Sequence, residues 1–316
     1  VTKKTAVVAL GGNAILQPGQ KGTFAEQYSN VCRTVEQLAA MVLSGKWRLV
    51  ITHGNGPQVG NILLQHEAAK TIVPPMPMDV CGAESQGFIG YMIQRAFHNV
   101  LAREGRGDIP VATVVTQVRV DANDPAFQNP TKPVGAFYSQ KEAKELQAEK
   151  GWHVVEDAGR GWRRVVPSPE PQAIVEREAI RLLVDNRAIV VASGGGGIPV
   201  IEENGTYRGV EAVIDKDLAG ERLAQDVGAA VFLILTDVDQ VRINYKKPGE
   251  KALDRMTVAE AKGYAQQGHF AKGSMEPKVK AAARFVEAGG ERAVIATLSQ
   301  ALEAVEGRAG TQVVRG

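Results

Sequence analysis

The chain has 316 residues, 44% of them hydrophobic, enough for a large core. Its 37 Lys and Arg against 35 Asp and Glu leave a formal net charge of +2, which argues against a general nucleic-acid or membrane-surface binder. Its two cysteines, Cys32 and Cys81, form neither a disulfide framework nor a zinc pattern, and they fit a reduced, intracellular setting.

The amino end, "VTKKTAVVALGGNAIL", lacks the long apolar stretch and cleavage site of a signal peptide. No segment approaches the ~20 apolar residues of a membrane span. The expectation is a cytoplasmic protein. "TAVVAL" (5–10) reads as a buried strand that runs into Gly11, Gly12 and Asn13. A helix follows over 26–43, with Val31, Val35, Leu38 and Val42 on one face. Thr23 and Glu26 have the spacing of a capping box ahead of it, and Gly45 can end it. "WRLVIT" (47–52) is the next strand, running into Gly54, Asn55 and Gly56. A helix over 84–103 and a strand over 111–120 continue the alternation.

From 123 to 169 the chain turns polar and proline-rich. It holds "NPTKPVG", a charged helix opened by Ser139 and Glu142 as a capping box, and a hairpin around "DAGRG". This segment reads as a small subdomain inserted into the main sheet domain, with a lid as its functional interpretation. Alternation then resumes. Helices are expected at 171–184, 217–227, 257–267 and 275–288, and strands at 188–193, 231–236 and 293–297. The strand at 188–193 runs into Gly194, Gly195, Gly196 and Gly197, stopped by Pro199. The pattern implies a single α/β domain over 1–316. Its architecture is a three-layer αβα sandwich around an open, mainly parallel sheet, with the inserted lid at 123–169.

Three glycine-rich turns at strand carboxyl ends point to one shared pocket, because ligands of open α/β sheets bind there. Such turns offer free N–H groups and the positive end of a helix dipole, both favourable to phosphate. None matches the P-loop or dinucleotide fingerprint. Lys216, between Asp215 and Asp217, starts a helix, and Lys278 follows Pro277 at the start of another. Cations there oppose the dipole, so an anionic ligand is implied. Asp217 can hold Lys216, and Lys132 stands in a stiff, proline-flanked segment. Lysines and backbone N–H groups are what phosphoryl transfer needs, and an acceptor that is already an anion needs no base. Accordingly there is no His–Asp base pair, and His53 is read as orienting its turn. Asp237 and Asp239 follow a strand, where they can touch a ribose or position a metal. No tight Mg²⁺ cage is visible, which suits an ion held mainly by nucleotide phosphates.

Together "ALGGNA", "HGNGPQVG", "NPTKPVG", "SGGGGIPV", "VIDKDLA" and "GSMEPKV" resemble the carbamate kinases, a branch of the amino acid kinase family, across nearly the whole chain. The resemblance implies a homodimer and Mg²⁺-dependent phosphoryl transfer between ATP and carbamate, giving ADP and carbamoyl phosphate. Related enzymes often run toward ATP in arginine catabolism. Carried over by motif, Gly11, Gly12, Asn13, Gly54, Asn55 and Gly56 would line the transferring group and carbamate. Lys216 and Lys278 would stabilise the transition state, Asp217 would orient them, and Lys132 would close from the lid. Thr236 and Asp237, with Tyr245 and Met275, would hold the nucleotide. Gly194 to Gly197 would form a backbone wall around the small acceptor. The first strand lacks the lysine usual in relatives that act on larger carboxylates, and Lys132 takes its place. Another amino acid kinase, acting on acetylglutamate, aspartate or UMP, is one alternative, and "NPTKPVG" and the insertion argue against it. A non-catalytic nucleotide-binding sensor is the other, and joint retention of Lys132, Lys216, Asp217 and Lys278 argues against that.

Overall fold

The computed structural model describes residues 3–157 and 159–316. Its centre is an eight-stranded sheet in the order Arg255–Thr257, Thr311–Val314, Arg292–Thr297, Val231–Thr236, Lys4–Leu10, Trp47–His53, Ile189–Val191, Val111–Thr113. Every pairing is parallel except that of Arg292–Thr297 with Thr311–Val314. This is the open, mainly parallel αβα sandwich that the alternating pattern implies.

The strands are apolar on both faces because both faces are covered. Phe232 and Ile234 join one core cluster, with Val7, Val50 and Val190. Leu233 and Leu235 join the other, with Val8, Ile51 and Val191. The period of two along each strand thus feeds two separate cores. Helices α1 (Phe24–Leu43), α2 (Gly56–Ala69) and α3 (Met78–Arg103) follow the first two strands. Later come α4 (Gln140–Lys150), α5 (Arg177–Asp185), α6 (Lys216–Asp226), α7 (Val258–Gln266), α8 (Met275–Glu287) and α9 (Ala301–Val305). The expected capping boxes close at Thr23–Glu26 and Ser139–Glu142. No helix of the described residues is long and apolar enough to cross a membrane.

Three local expectations change. The single strand expected over 111–120 divides: Val111–Thr113 stays in the main sheet, and Gln117–Arg119 joins a four-stranded sheet with Ala173–Ile174, Ile198–Glu203 and Thr206–Gly209. The break falls at Thr116, whose N–H donates to Gln86 Oε1 at 2.7 Å and whose hydroxyl donates to Val114 O. The helix expected from 171 begins at Arg177, because Ala173–Ile174 pairs with Gln117–Arg119 first. Helix α2 was not foreseen: its glycines mask the pattern, although Pro57 in its first turn is a helix-start signal.

Within the insertion, Lys132–Tyr138, Trp162–Val166 and His153–Glu156 form their own antiparallel sheet, flanked by α4. The two strands of the expected hairpin pair as foreseen. Its tip includes Ala158, outside the described residues.

Candidate active site

Four neighbouring strands set the site. Val231–Thr236, Lys4–Leu10, Trp47–His53 and Ile189–Val191 lie side by side and point the same way. Their carboxyl ends therefore bring the turns at Asp237, Gly11–Asn13, Gly54–Gly56 and Gly194–Gly197 to one edge. Beyond that edge lies an open cavity of about 630 Å³, lined among others by Gly12, Asn55, Lys132, Gly195, Lys216 and Lys278. That volume suits a polyphosphate tail with a small acceptor.

The chemistry of the cavity centres on Asp217, which is only 3% exposed. Its Oδ1 accepts from Lys216 Nζ at 2.7 Å and its Oδ2 from Lys278 Nζ at 2.9 Å. Helices α6 and α8 thus offer their N-terminal lysines to one carboxylate. Burial pushes the Asp217 carboxyl up, but the two ammonium groups outweigh it and hold it below its ordinary range. Burial likewise pushes Lys216 down, and Asp217 more than compensates, so Lys216 lies above its ordinary range. Lys278 ends below its ordinary range, because burial and the charge of Lys216 outweigh the pull of Asp217. The cluster carries an uncompensated positive charge beside two helix N-termini, which an anion would relieve.

Asp215 is the N-cap of α6: its Oδ1 accepts from the Asp217 N–H at 2.9 Å. Its Oδ2 accepts from Lys132 Nζ at 2.9 Å, which ties the inserted sheet to the cap. Both carboxylates of the cavity wall are thereby engaged by lysines.

Gly54 makes room for the Lys216 stem: a Cβ there would sit 3.2 Å from Lys216 Cδ. Gly11 donates its N–H to Leu235 O at 3.1 Å, and Asn13 Nδ2 donates to Asp237 Oδ2 at 2.6 Å. Asn55 Nδ2 donates to Ser85 Oγ at 2.8 Å. His53 is 1% exposed, and its Nδ1 donates to Gly54 O at 2.9 Å. Burial pushes its pKa down to about 4, so it stays neutral and braces the turn.

The four consecutive glycines differ from the expected wall. Only Gly195 reaches the cavity. The others are packed against the protein itself: a Cβ would meet His53 at Gly194, the Ile214 carbonyl oxygen at Gly196 and Val118 at Gly197. At these three positions the packing of the protein itself leaves no room for a side chain. Thr236, Asp237, Tyr245 and Met275 also lie outside the cavity lining. Asp237 is taken up by Asn13, Tyr245 is 53% exposed, and Met275 packs against the α6–α8 core.

Sequence reasoning missed Arg160 and Arg163, which line the cavity from the inserted sheet. Their guanidinium groups stand over the Phe137 ring at 5.3 and 5.0 Å, and both pair with Asp157. The run "GRGWRR" marked a basic hairpin, but nothing local showed which way it faced.

One turn below Asp217, Glu221 is fully buried and faces Arg284 of α8, with Oε2 3.4 Å from Arg284 Nε. Burial pushes its carboxyl up to about 7, against the nearby Arg284 and Arg222. A raised folded-state value means stabilisation that is complete below about pH 4.5 and is lost as pH rises through about 7. Glu221→Gln removes that dependence. Denaturation between pH 5 and 8 should show wild type losing about 3 kcal/mol relative to the variant. Parallel curves would refute a buried ionisation at this position.

Paired lysines on a buried carboxylate, glycine turns and converging helix N-termini define a phosphotransferase built on an open α/β sheet. The family model for the amino acid kinase family matches residues 4–297. A carbamate kinase of Thermococcus kodakarensis is 62% identical, over 99% of both chains, and one of Pyrococcus furiosus is 56% identical, over 98% of this chain and 99% of its own. The structure of carbamate kinase from Giardia lamblia bound to AMP-PNP superposes with a TM-score of 0.94, at 47% identity and 99% coverage of each. The chain belongs to the amino acid kinase family, within its carbamate kinase branch.

Proposed function

We propose that this protein transfers a phosphoryl group reversibly between ATP and carbamate, giving ADP and carbamoyl phosphate. The observation that carries this is the clamp of Lys216 and Lys278 on Asp217, which sets two ammonium groups at one end of a cavity that also holds Lys132. The charge of the phosphoryl group in flight is spread over its equatorial oxygens, and fixed cations lower its energy without reorganising. Carbamate enters as an anion, so the acceptor needs no side-chain base. Mg²⁺ enters with the nucleotide, held mainly by its phosphates. The Gly54 N–H is taken up by Leu10 O, so the backbone N–H groups of Gly12 and Gly56 are the ones offered to the transferring group, and Asn55, anchored on Ser85, faces the acceptor. The physiological direction is ATP formation in arginine catabolism, by a cytoplasmic homodimer.

Purified protein with ADP, Mg²⁺ and carbamoyl phosphate should form ATP in a coupled assay. Acetylglutamate, aspartate and UMP, each offered with ATP, should give no comparable turnover. Nucleotide binding without ATP formation would overturn the proposal in favour of a sensor. Lys132 approaches from the inserted sheet and exchanges Asp215 for the substrate. Lys132→Ala should lower kcat/KM for carbamoyl phosphate on the order of 10²-fold, with ADP affinity unchanged by calorimetry. Unaltered kinetics would remove Lys132 from the reaction.

A further inference from the structure

Outside the cavity, the described residues contain one cluster of metal-ligating side chains: His66 on α2 with Cys81 and Glu84 on α3. We propose that these three bind a borderline transition-metal ion of the zinc class, at a site separate from the Mg²⁺ that accompanies the nucleotide.

The geometry is close to what such an ion needs. Cys81 and Glu84 are three residues apart on one helix and therefore share a face. Helix α2 packs beside α3 and brings His66 across to them. One ligand atom from each residue lies within 4.8 Å of the others. His66 Nε2 is 3.1 and 3.4 Å from the two carboxylate oxygens of Glu84. Metal–ligand bonds of about 2.0–2.3 Å at a tetrahedral ion set ligand atoms roughly 3.3–3.6 Å apart. The nitrogen–oxygen edge is therefore already formed, and Cys81 Sγ, within 4.8 Å of both other ligand atoms, must move toward it to complete the set. The Cys81 side chain is buried and its hydrogen bond is a long one of 3.7 Å to Met76 O. It is free to exchange that weak bond for a metal. His66 and Glu84 are partly exposed, so an ion can enter and water can take the fourth position.

The donor set decides the class of ion. A thiolate, an imidazole and a carboxylate match Zn²⁺ or Co²⁺, while Mg²⁺ prefers an all-oxygen shell. Binding breaks the Cys81 S–H bond, forms a sulfur–metal bond and releases the proton to solvent. The thiolate and the Glu84 carboxylate then neutralise the dication, which suits a half-buried position. An ion there would join α2 to α3. The next residues on α3 brace the cavity wall from behind: Ser85 Oγ accepts from Asn55 Nδ2, and Gln86 Nε2 donates to Gly194 O, next to Gly195. Sequence spacing hid the site, because His66 comes from another helix and no paired-cysteine pattern announces it.

The test is titration of the chelator-stripped full-length protein with Co²⁺, under a phosphine reductant. The proposal expects one Co²⁺ per chain, a near-ultraviolet thiolate-to-cobalt charge-transfer band and visible bands of tetrahedral strength. Zn²⁺ should displace the ion, and a large excess of Mg²⁺ should not. Cys81→Ser should abolish the charge-transfer band, and Cys32→Ser should leave it. His66→Gln and Glu84→Gln, both at partly exposed positions, should weaken binding by about tenfold or more while ATP formation persists. A ligand-free Cys81→Ser that fails to fold leaves these two variants to decide. Absence of the band in wild type, its loss in Cys32→Ser, or undiminished affinity in His66→Gln and Glu84→Gln would overturn the site.

Discussion

Lys216→Ala should lower turnover on the order of 10³-fold, while ADP affinity changes by less than about tenfold. The asymmetry follows from where the ammonium stands. Lys216 Nζ is fixed by Asp217 at 2.7 Å, and its stem runs across the space that Gly54 leaves open. In the proposed reaction it faces the position where charge gathers during transfer, so its removal should cost the transition state about 4 kcal/mol, more than it costs the bound nucleotide. A second effect adds to the loss. With Lys216 gone, Asp217 and Lys278 form a neutral pair, and the uncompensated charge that attracts an anion disappears. Lys278 should then titrate higher, because the charge that helped to hold it down is absent. Lys216→Arg should rescue little: a planar guanidinium is wider and cannot reproduce one point charge beside Gly54. Steady-state rates in the ATP-forming direction, with calorimetric ADP binding, decide the matter. Equal losses in kcat and in ADP affinity would assign Lys216 to ground-state binding instead.

What could be read from the chain and what could not divide along physical lines. Strands, capping boxes and the three glycine turns are local: Thr23 needs only Glu26, and Leu10 needs only its position before Gly11. Alternation implies a mainly parallel sheet, but the strand order that places the turns side by side shows only in the folded chain. The pairing of Lys216 and Lys278 was legible in part, because each stands against a helix dipole and so asks for a partner. That one carboxylate serves both came only from the resemblance, since α6 and α8 meet through tertiary packing that no local pattern shows. Arg160 and Arg163 escaped for the same reason: Phe137 and Asp157 orient them, and only the folded hairpin shows it. Tyr245 and Met275 came from resemblance rather than from the residues' own chemistry, and the cavity wall does not include them. The glycine run was legible only in part. Its position after a buried strand was informative, but the atoms that forbid side chains there belong to His53, Asn55, Val118 and Ile214.

Those atoms make the second large prediction, in which adjacent glycines fail in different ways. Gly195 has φ +68° and a Cβ there would lie 2.2 Å from Asn55 Nδ2. Asn55 is a side chain at the cavity wall, held by Ser85, so it can be displaced while the fold persists. Gly195→Ala should therefore reduce kcat/KM for carbamoyl phosphate by 10²-fold or more, with a stability cost of about 1–2 kcal/mol from the left-handed backbone. Gly196 has φ +97° and its Cβ would lie 2.4 Å from Ile214 O, which is backbone. Ile214 leads directly into the N-cap of α6, and it has no room to retreat without moving Asp215 and Lys216. Gly196→Ala should accordingly lose several kcal/mol and fail to accumulate as folded protein. Circular dichroism melts and carbamoyl phosphate kinetics on the two variants separate the outcomes. If Gly195→Ala keeps full activity, Asn55 does not position the acceptor. If Gly196→Ala folds normally and loses only activity, then that glycine also faces the substrate, and the glycine run is a wall after all.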